Sequence, residues 1–164
     1  MSLNLSIYET DKSNLSRAFE LMQLAFAHQR NIIEPEPGIF REDSIKSLSS
    51  AIDKGEKRLI VALHRTQIMG CVLCGKNQDN PSEDFYFSRL AVRPRYQNNG
   101  IAKQLIAEVE ATARSEKFVR VTCGVRKVLR QNVGMFEYLG YEIVGEGTHK
   151  GFNEPTYYKM AKVL

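Results

Sequence analysis

Apolar positions along the chain change their period several times, and each change marks an element. The stretch "LSIYE" (residues 5–9) alternates apolar and polar and predicts a short strand. Leu15, Ala18, Phe19, Met22, Ala25 and Phe26 then recur at helical spacing, which predicts a helix from about Ser13 to Gln29. "NIIEPEPGIF" holds two prolines and a glycine, cannot continue that helix and reads as an ordered loop. Ile45, Leu48, Ala51 and Ile52 mark a second, shorter helix stopped near Gly55.

Two apolar runs follow, "KRLIVALH" and "QIMGCVLCGK", joined through Arg65 and Thr66 in a tight hairpin. After the polar loop "NQDNPSED" comes "FYFSRLAV", the third run of a meander. A Gly-containing turn leads into a helix carrying Ile101, Leu105, Ile106 and Val109. Next come a strand "FVRVTCGV" and a helix from about Val128 to Tyr138, ended by Gly140. Strands near "YEIVG" and "TYYKMAKV" complete the order. This alternation predicts an α/β fold on one mixed sheet of about seven strands flanked by about four helices. Residues 85–124 form its right-handed crossover between parallel strands. The turn entering the crossover helix then lies at the carboxyl edge of the sheet, where open α/β sheets bind ligands.

Composition narrows the class. With 164 residues, 43% of them hydrophobic, residues 1–164 are expected to form a single globular domain. No apolar run approaches ~18 residues and no charged-then-apolar leader is present, so neither a membrane span nor a secretory signal is expected. Three cysteines, Cys71, Cys74 and Cys123, suit a reducing cytoplasm. "CVLC" has zinc-like spacing without a second Cys or His pair, and strand residues three apart point to opposite faces, so core packing is expected and no metal. Charge is uneven: residues 89–130 hold ten Lys or Arg against three Asp or Glu, a net of +7 within a chain of net +4. A basic middle suits an anionic ligand. Nucleic acid ranks last among such ligands, because no aromatic stacking motif or recognition helix accompanies the charge.

The turn "QNNGIA" (97–102) sits inside that basic segment. A helix start leaves backbone N–H groups unpaired and carries partial positive charge, so a phosphate fits there, and Gly100 lets the backbone come close to it. Gln97, Asn98 and Asn99 have polar side chains suited to such a loop. The Gly-Lys-Ser/Thr ending of a P-loop and the three-glycine spacing of a dinucleotide fingerprint are both missing.

The run "LAVRPRYQNNGIAKQLI" resembles the acetyl-CoA-binding motif of the GNAT N-acetyltransferase superfamily, whose loop reads Arg/Gln-x-x-Gly-x-Gly/Ala after a strand ending in Val-x-Pro. The helix after the loop, the next strand, "RQNVGMFEYLGY" and the terminal strand pair extend the likeness over essentially the whole chain. The resemblance implies the GNAT fold, with a sheet splayed to admit acetyl-CoA, and direct acetyl transfer to an amine. It implies that the backbone of Leu90, Ala91 and Val92 pairs with the pantetheine arm and steadies the oxyanion. Gln97, Asn98, Asn99, Gly100, Ile101 and Ala102 would hold the pyrophosphate, and the Asn132 side chain would touch the cofactor.

Two positions depart from the family pattern. The helix-four tyrosine that protonates the leaving thiolate is replaced by Phe136, and Tyr138, about 200° away around the helix, faces elsewhere. The fourth-strand glutamate that serves as base is missing, leaving Glu83 and Asp84 just before that strand as weak candidates. The resemblance places the acceptor groove between the loop holding Glu34, Glu36, Phe40 and Arg41, whose carboxylates would suit a cationic amine, and the last hairpin, which holds His149. An amine acceptor follows, a small molecule slightly ahead of a peptide amine, on a monomer or homodimer. An acyl-CoA-binding or sensing module is the second reading, motivated by the two departures.

Overall fold

The computed structural model describes residues 3–164, so residues 1 and 2 of the expected domain span lie outside the described residues. One sheet of seven strands carries the fold: β1 (Ser6–Thr10), β2 (Arg58–His64), β3 (Gln67–Lys76), β4 (Asp84–Val92), β5 (Arg120–Arg126), β6 (Glu142–Gly147) and β7 (Tyr157–Val163). Their order across the sheet is β1-β2-β3-β4-β5-β7-β6. Every neighbouring pair is antiparallel except β4 and β5, which are joined by the predicted crossover.

Helices α1 (Leu15–Phe26), α2 (Gly38–Arg41), α3 (Ile45–Asp53), α4 (Ile101–Ser115) and α5 (Arg130–Tyr138) cover the sheet. The apolar stripe of α1 (Leu15, Ala18, Leu21, Met22, Ala25) packs with Leu59, Val61, Ile68, Cys71 and Leu73 on one face. Ile101, Leu105, Ile106 and Val109 of α4 pack with Ile60, Ala62, Val72, Phe85 and Val121 on the other. Contact there is close: a Cβ at Gly70 would stand 2.9 Å from both Ile101 and Leu105 side-chain atoms. Burial on both faces explains the unbroken apolar run of β3, buried from Ile68 to Gly75. Cys71 and Cys74 join opposite cores, as their spacing predicts, and burial pushes all three cysteine thiols up to about 12.

Three expectations are corrected in detail. Five α-helices are present instead of about four, because the proline-rich loop contains α2, started by Pro37 at its N-cap. The last helix begins at Arg130 and not at Val128, since Leu129 is not helical (φ −90, ψ 69). Asp84 is the first residue of β4, not part of the loop before it.

The feature that positions the site is a split in the sheet. β4 and β5 pair only over Asp84↔Arg120, Phe85↔Val121 and Tyr86↔Thr122. Beyond Tyr86, β4 stays with β3 as far as Val92↔Gly70, while β5 follows β7 to Arg126↔Tyr157. The two strands diverge into a V open at their carboxyl ends. A bulge in β4 adds to this: Cys71 pairs with Ala91 and Leu73 with Ser88, so Arg89 and Leu90 together oppose Val72. Arg89 takes a left-handed backbone there (φ 55).

Candidate active site

Both helices that follow the parallel strands start at the mouth of the V. At α4 the N-cap is Gly100 in the left-handed region (φ 78), and no side chain caps the helix and no acid occupies its first turn. Asn98 is also left-handed (φ 65). Gln97 N–H closes the preceding turn on Pro94 O, and neighbouring side chains hold the loop by bonding carbonyls, which leaves the N–H groups from Asn98 onward free. Gln97 Nε2 donates to Val92 O (3.2 Å), and Asn99 Nδ2 donates to Tyr96 O (3.1 Å) and Gln97 O (3.0 Å). A Cβ at Gly100 would meet nothing within 4 Å, so the space over the turn is open. Ile101 is buried beneath it and anchors the helix start in the core, with Ala102 partly buried beside it. Oriented N–H donors, a positive dipole end and no competing carboxylate fit the pyrophosphate of coenzyme A.

The edge of β4 that lines the V follows from one bond. Arg93 N–H donates to Met69 O at 2.8 Å. By the alternation of an antiparallel ladder, Arg93 and Ala91 turn their backbone groups toward β3 while Val92 turns its own into the opening, and Leu90 next to it belongs to the bulge. Opposite them, α5 presents Asn132, exposed on its first turn, and buries Val133 and Phe136. Phe136 packs between Phe87 (centroids 5.8 Å apart) and Tyr141 (5.9 Å), whereas Tyr138 is 82% exposed and points away.

The other face of the split is polar and basic. Tyr86, Gly124 and Tyr157 meet across it: a Cβ at Gly124 would stand 3.4 Å from the Tyr157 ring and 3.9 Å from the Tyr86 hydroxyl. His149 stacks edge-on against Tyr157 (centroids 4.9 Å), and its Nδ1 bonds the Thr156 hydroxyl. Burial lowers the His149 pKa, and the nearby Arg126 and Arg41 guanidiniums lower it further, so the ring is neutral at pH 7. From the α1–α3 side come Arg41 and the acids Glu42 and Asp43, and from the bulge comes Arg89. Arg89 Nε donates to Asp43 (2.6 Å), and its guanidinium lies directly over Gly38, where any Cβ would collide with it.

The predicted acceptor residues Glu34, Glu36 and Phe40 are brought to this side, and two of them are held by Arg30. Glu36 pairs with Arg30 at 3.1 Å, Phe40 lies under the same guanidinium at 4.4 Å, and Glu34 is exposed. Asp84 lies at the far, closed end of the V. It is buried, and both its oxygens accept from Arg120 (2.9 and 2.8 Å). Glu83 is exposed beside it, with its backbone carbonyl accepting from Val119 (2.8 Å). Neither carboxylate reaches the opening. Sequence reasoning missed Tyr86, Arg89, Arg126 and Tyr157, whose convergence depends on strand register and a bulge that no local pattern signals. Among the described residues, no group of three or more His, Cys, Asp or Glu could hold a metal ion, and no helix is long and apolar enough to cross a membrane.

A mixed sheet opened beyond one parallel pair, with a helix N terminus facing the opening, is an architecture shared with acetyltransferases. The model of the acetyltransferase (GNAT) family matches residues 17–141, and the chain belongs to that family. It is accordingly an acetyl-CoA-dependent acyltransferase. Solved structures of similar fold include a PaiA N-acetyltransferase from Thermoplasma acidophilum in complex with coenzyme A, with 15% identity over 99% of this chain and 100% of that one and a TM-score of 0.80. An acetyltransferase from Thermus thermophilus has 17% identity over 100% of both chains and a TM-score of 0.78. An aminoglycoside 6'-acetyltransferase type Ii has 19% identity over 96% of both chains and a TM-score of 0.74. At these identities the likeness is one of fold. No curated protein sequence matches the chain.

Proposed function

We propose that this acetyltransferase moves the acetyl group of acetyl-CoA onto a primary amine, by direct attack in a ternary complex. A single observation carries the reading: the V between β4 and β5 has free N–H donors at its mouth on one face and a polar groove on the other, so donor and acceptor can meet within it. Residues 1–164 act in this reading as one domain, in a reducing cytoplasm suited to its buried free thiols.

The free N–H groups from Asn98 to Ala102, in a turn that Gln97 holds closed, bind the pyrophosphate, Asn132 contacts the cofactor through its amide, and the backbone groups of Leu90 to Val92, those of Val92 turned inward, align the pantetheine arm. The amine nitrogen attacks the thioester carbonyl, the N–C bond forms and the C–S bond breaks. A backbone N–H of the Leu90–Val92 segment takes the developing oxyanion, as preorganised backbone donors do in acyl transfer. The amine must be neutral when it attacks. The guanidiniums nearby lower an acceptor's pKa through like-charge repulsion; the Thr156 hydroxyl donates to Gly147 O, so in the neutral tautomer with the proton on Nδ1, His149 donates Nδ1–H to Thr156 and offers Nε2 as a hydrogen-bond acceptor for the amine. The attacking nitrogen gives up one proton, to His149 Nε2 or to water, and because Phe136 has none to give, water protonates the leaving thiolate, so the protons balance. A small-molecule amine is slightly favoured over a protein amine.

The test is thiol release from acetyl-CoA against a broad panel of amines and peptides. Turnover above hydrolysis is expected for at least one acceptor. Tight coenzyme A binding with no turnover on any acceptor would defeat this reading and favour an acyl-CoA-binding module.

A further inference from the structure

The acceptor groove carries a positive group that the fold leaves unmatched. Arg126 ends β5 at the open end of the V, half-buried, and its side chain has one hydrogen bond among the described residues, to the carbonyl oxygen of Glu36 at 3.4 Å. Arg41 Nε donates to that same oxygen at 2.7 Å, so two guanidiniums converge on one backbone acceptor. The acids nearby are already engaged. Glu36 is held by Arg30 (3.1 Å), Glu42 by Arg41 (2.8 Å) and Asp43 by Arg89 (2.6 Å). Arg126 is thus a partly desolvated cation, beside two others, with no carboxylate of its own. Its pKa is lowered by burial and by Arg41 and Arg89, an unfavourable placement for the free protein that an incoming anion would relieve.

We propose that the acceptor bears, besides its amine, an oxyanion, carboxylate or phosphate, bound by Arg126 with Arg41 beside it. This rests on the amine-transfer reading and narrows it to zwitterionic acceptors. A guanidinium presents a planar fork of donors that matches either oxyanion in two parallel bonds, which a lysine could not reproduce. Nor do the loop carboxylates select a purely cationic amine here. Glu36 is neutralised by Arg30 and Glu34 is exposed to solvent.

Matched acceptors test this: β-alanine against β-alaninamide, phosphoethanolamine against ethanolamine, and putrescine as the dication. Each is titrated into the coenzyme A complex by calorimetry and assayed for thiol release with acetyl-CoA. The anionic member of at least one pair should bind at least about tenfold more tightly than its neutral partner, and the pair that responds separates carboxylate from phosphate. Arg126→Gln should collapse that ratio toward one and Arg126→Lys should restore part of it, with thermal unfolding reporting that each variant is folded. Equal binding within both pairs, preference for putrescine, or a ratio unchanged in Arg126→Gln would overturn the proposal. Binding preference without turnover would support the anion site while counting against acetyl transfer to these amines, so the two readings fail separately.

Discussion

Asp84 and Arg120 form a two-pronged ion pair across the parallel pair β4 and β5, at the closed end of the V. Asp84 is 3% exposed, and the pair raises the Arg120 pKa through its hydrogen bonds. It clamps β4 to β5 immediately before they separate, so its role is to fix where the opening starts. Asp84→Ala should lower unfolding free energy by about 1–2 kcal/mol, since it removes two charge-assisted hydrogen bonds but leaves Arg120 35% exposed and solvated. Activity per folded molecule, measured well below the unfolding transition, should change little. A loss of turnover with unchanged stability by urea denaturation would instead indicate a catalytic carboxylate.

Phe136 is a core residue as placed, wedged between Phe87 and Tyr141 and only 7% exposed. Phe136→Ala should cost about 3–5 kcal/mol of stability. Phe136→Tyr introduces a hydroxyl among aromatic rings and should cost about 1–3 kcal/mol while leaving kcat unchanged. A several-fold rise in kcat for Phe136→Tyr would show that thiolate protonation limits the rate.

His149 links the groove to pH. Its pKa is lowered in the fold, so below 6.5 the unfolded chain takes up the proton first and stability is lost as pH falls. Above 6.5 both states are neutral and the effect vanishes. Denaturation midpoints measured from pH 7.5 down to about 5 should therefore decline less steeply in His149→Gln than in the parent protein. Parallel slopes for the two would place the His149 pKa at its ordinary value.

Gly100 separates conformation from charge. Its left-handed backbone makes Gly100→Ala cost about 1 kcal/mol, although a methyl there meets no neighbour. Gly100→Glu carries a similar conformational penalty but sets a carboxylate over the free N–H groups, so coenzyme A affinity by calorimetry should fall beyond detection. Two variants of equal melting temperature and equal affinity would refute the pyrophosphate assignment.

Much of this was legible locally. The Arg65-Thr66 hairpin, the opposed Cys71 and Cys74 and the Gly turn before α4 all follow from spacings within a few residues. What was illegible depends on distance or on brevity. The four residues of α2 are too few to show a period. Asp84, a charged residue after a polar loop, looks solvated until Arg120, 36 positions on, is seen beside it. Arg126 meets the Glu36 carbonyl across 90 positions, and Arg89 is turned toward Asp43 by a bulge whose register no side-chain pattern announces. The turn before α4 was therefore readable from local spacing, and the convergence of Arg89 and Arg126 only from the fold.

The central claim is that coenzyme A lies in the V between β4 and β5 with its pyrophosphate on the α4 turn. Amide chemical shifts of the isotope-labelled protein, recorded as coenzyme A is added, test it most directly. The largest changes should fall on Leu90, Val92 and residues 98–103, with Asn132 following. Saturable changes confined to other parts of the sheet, with those amides unmoved, would contradict it.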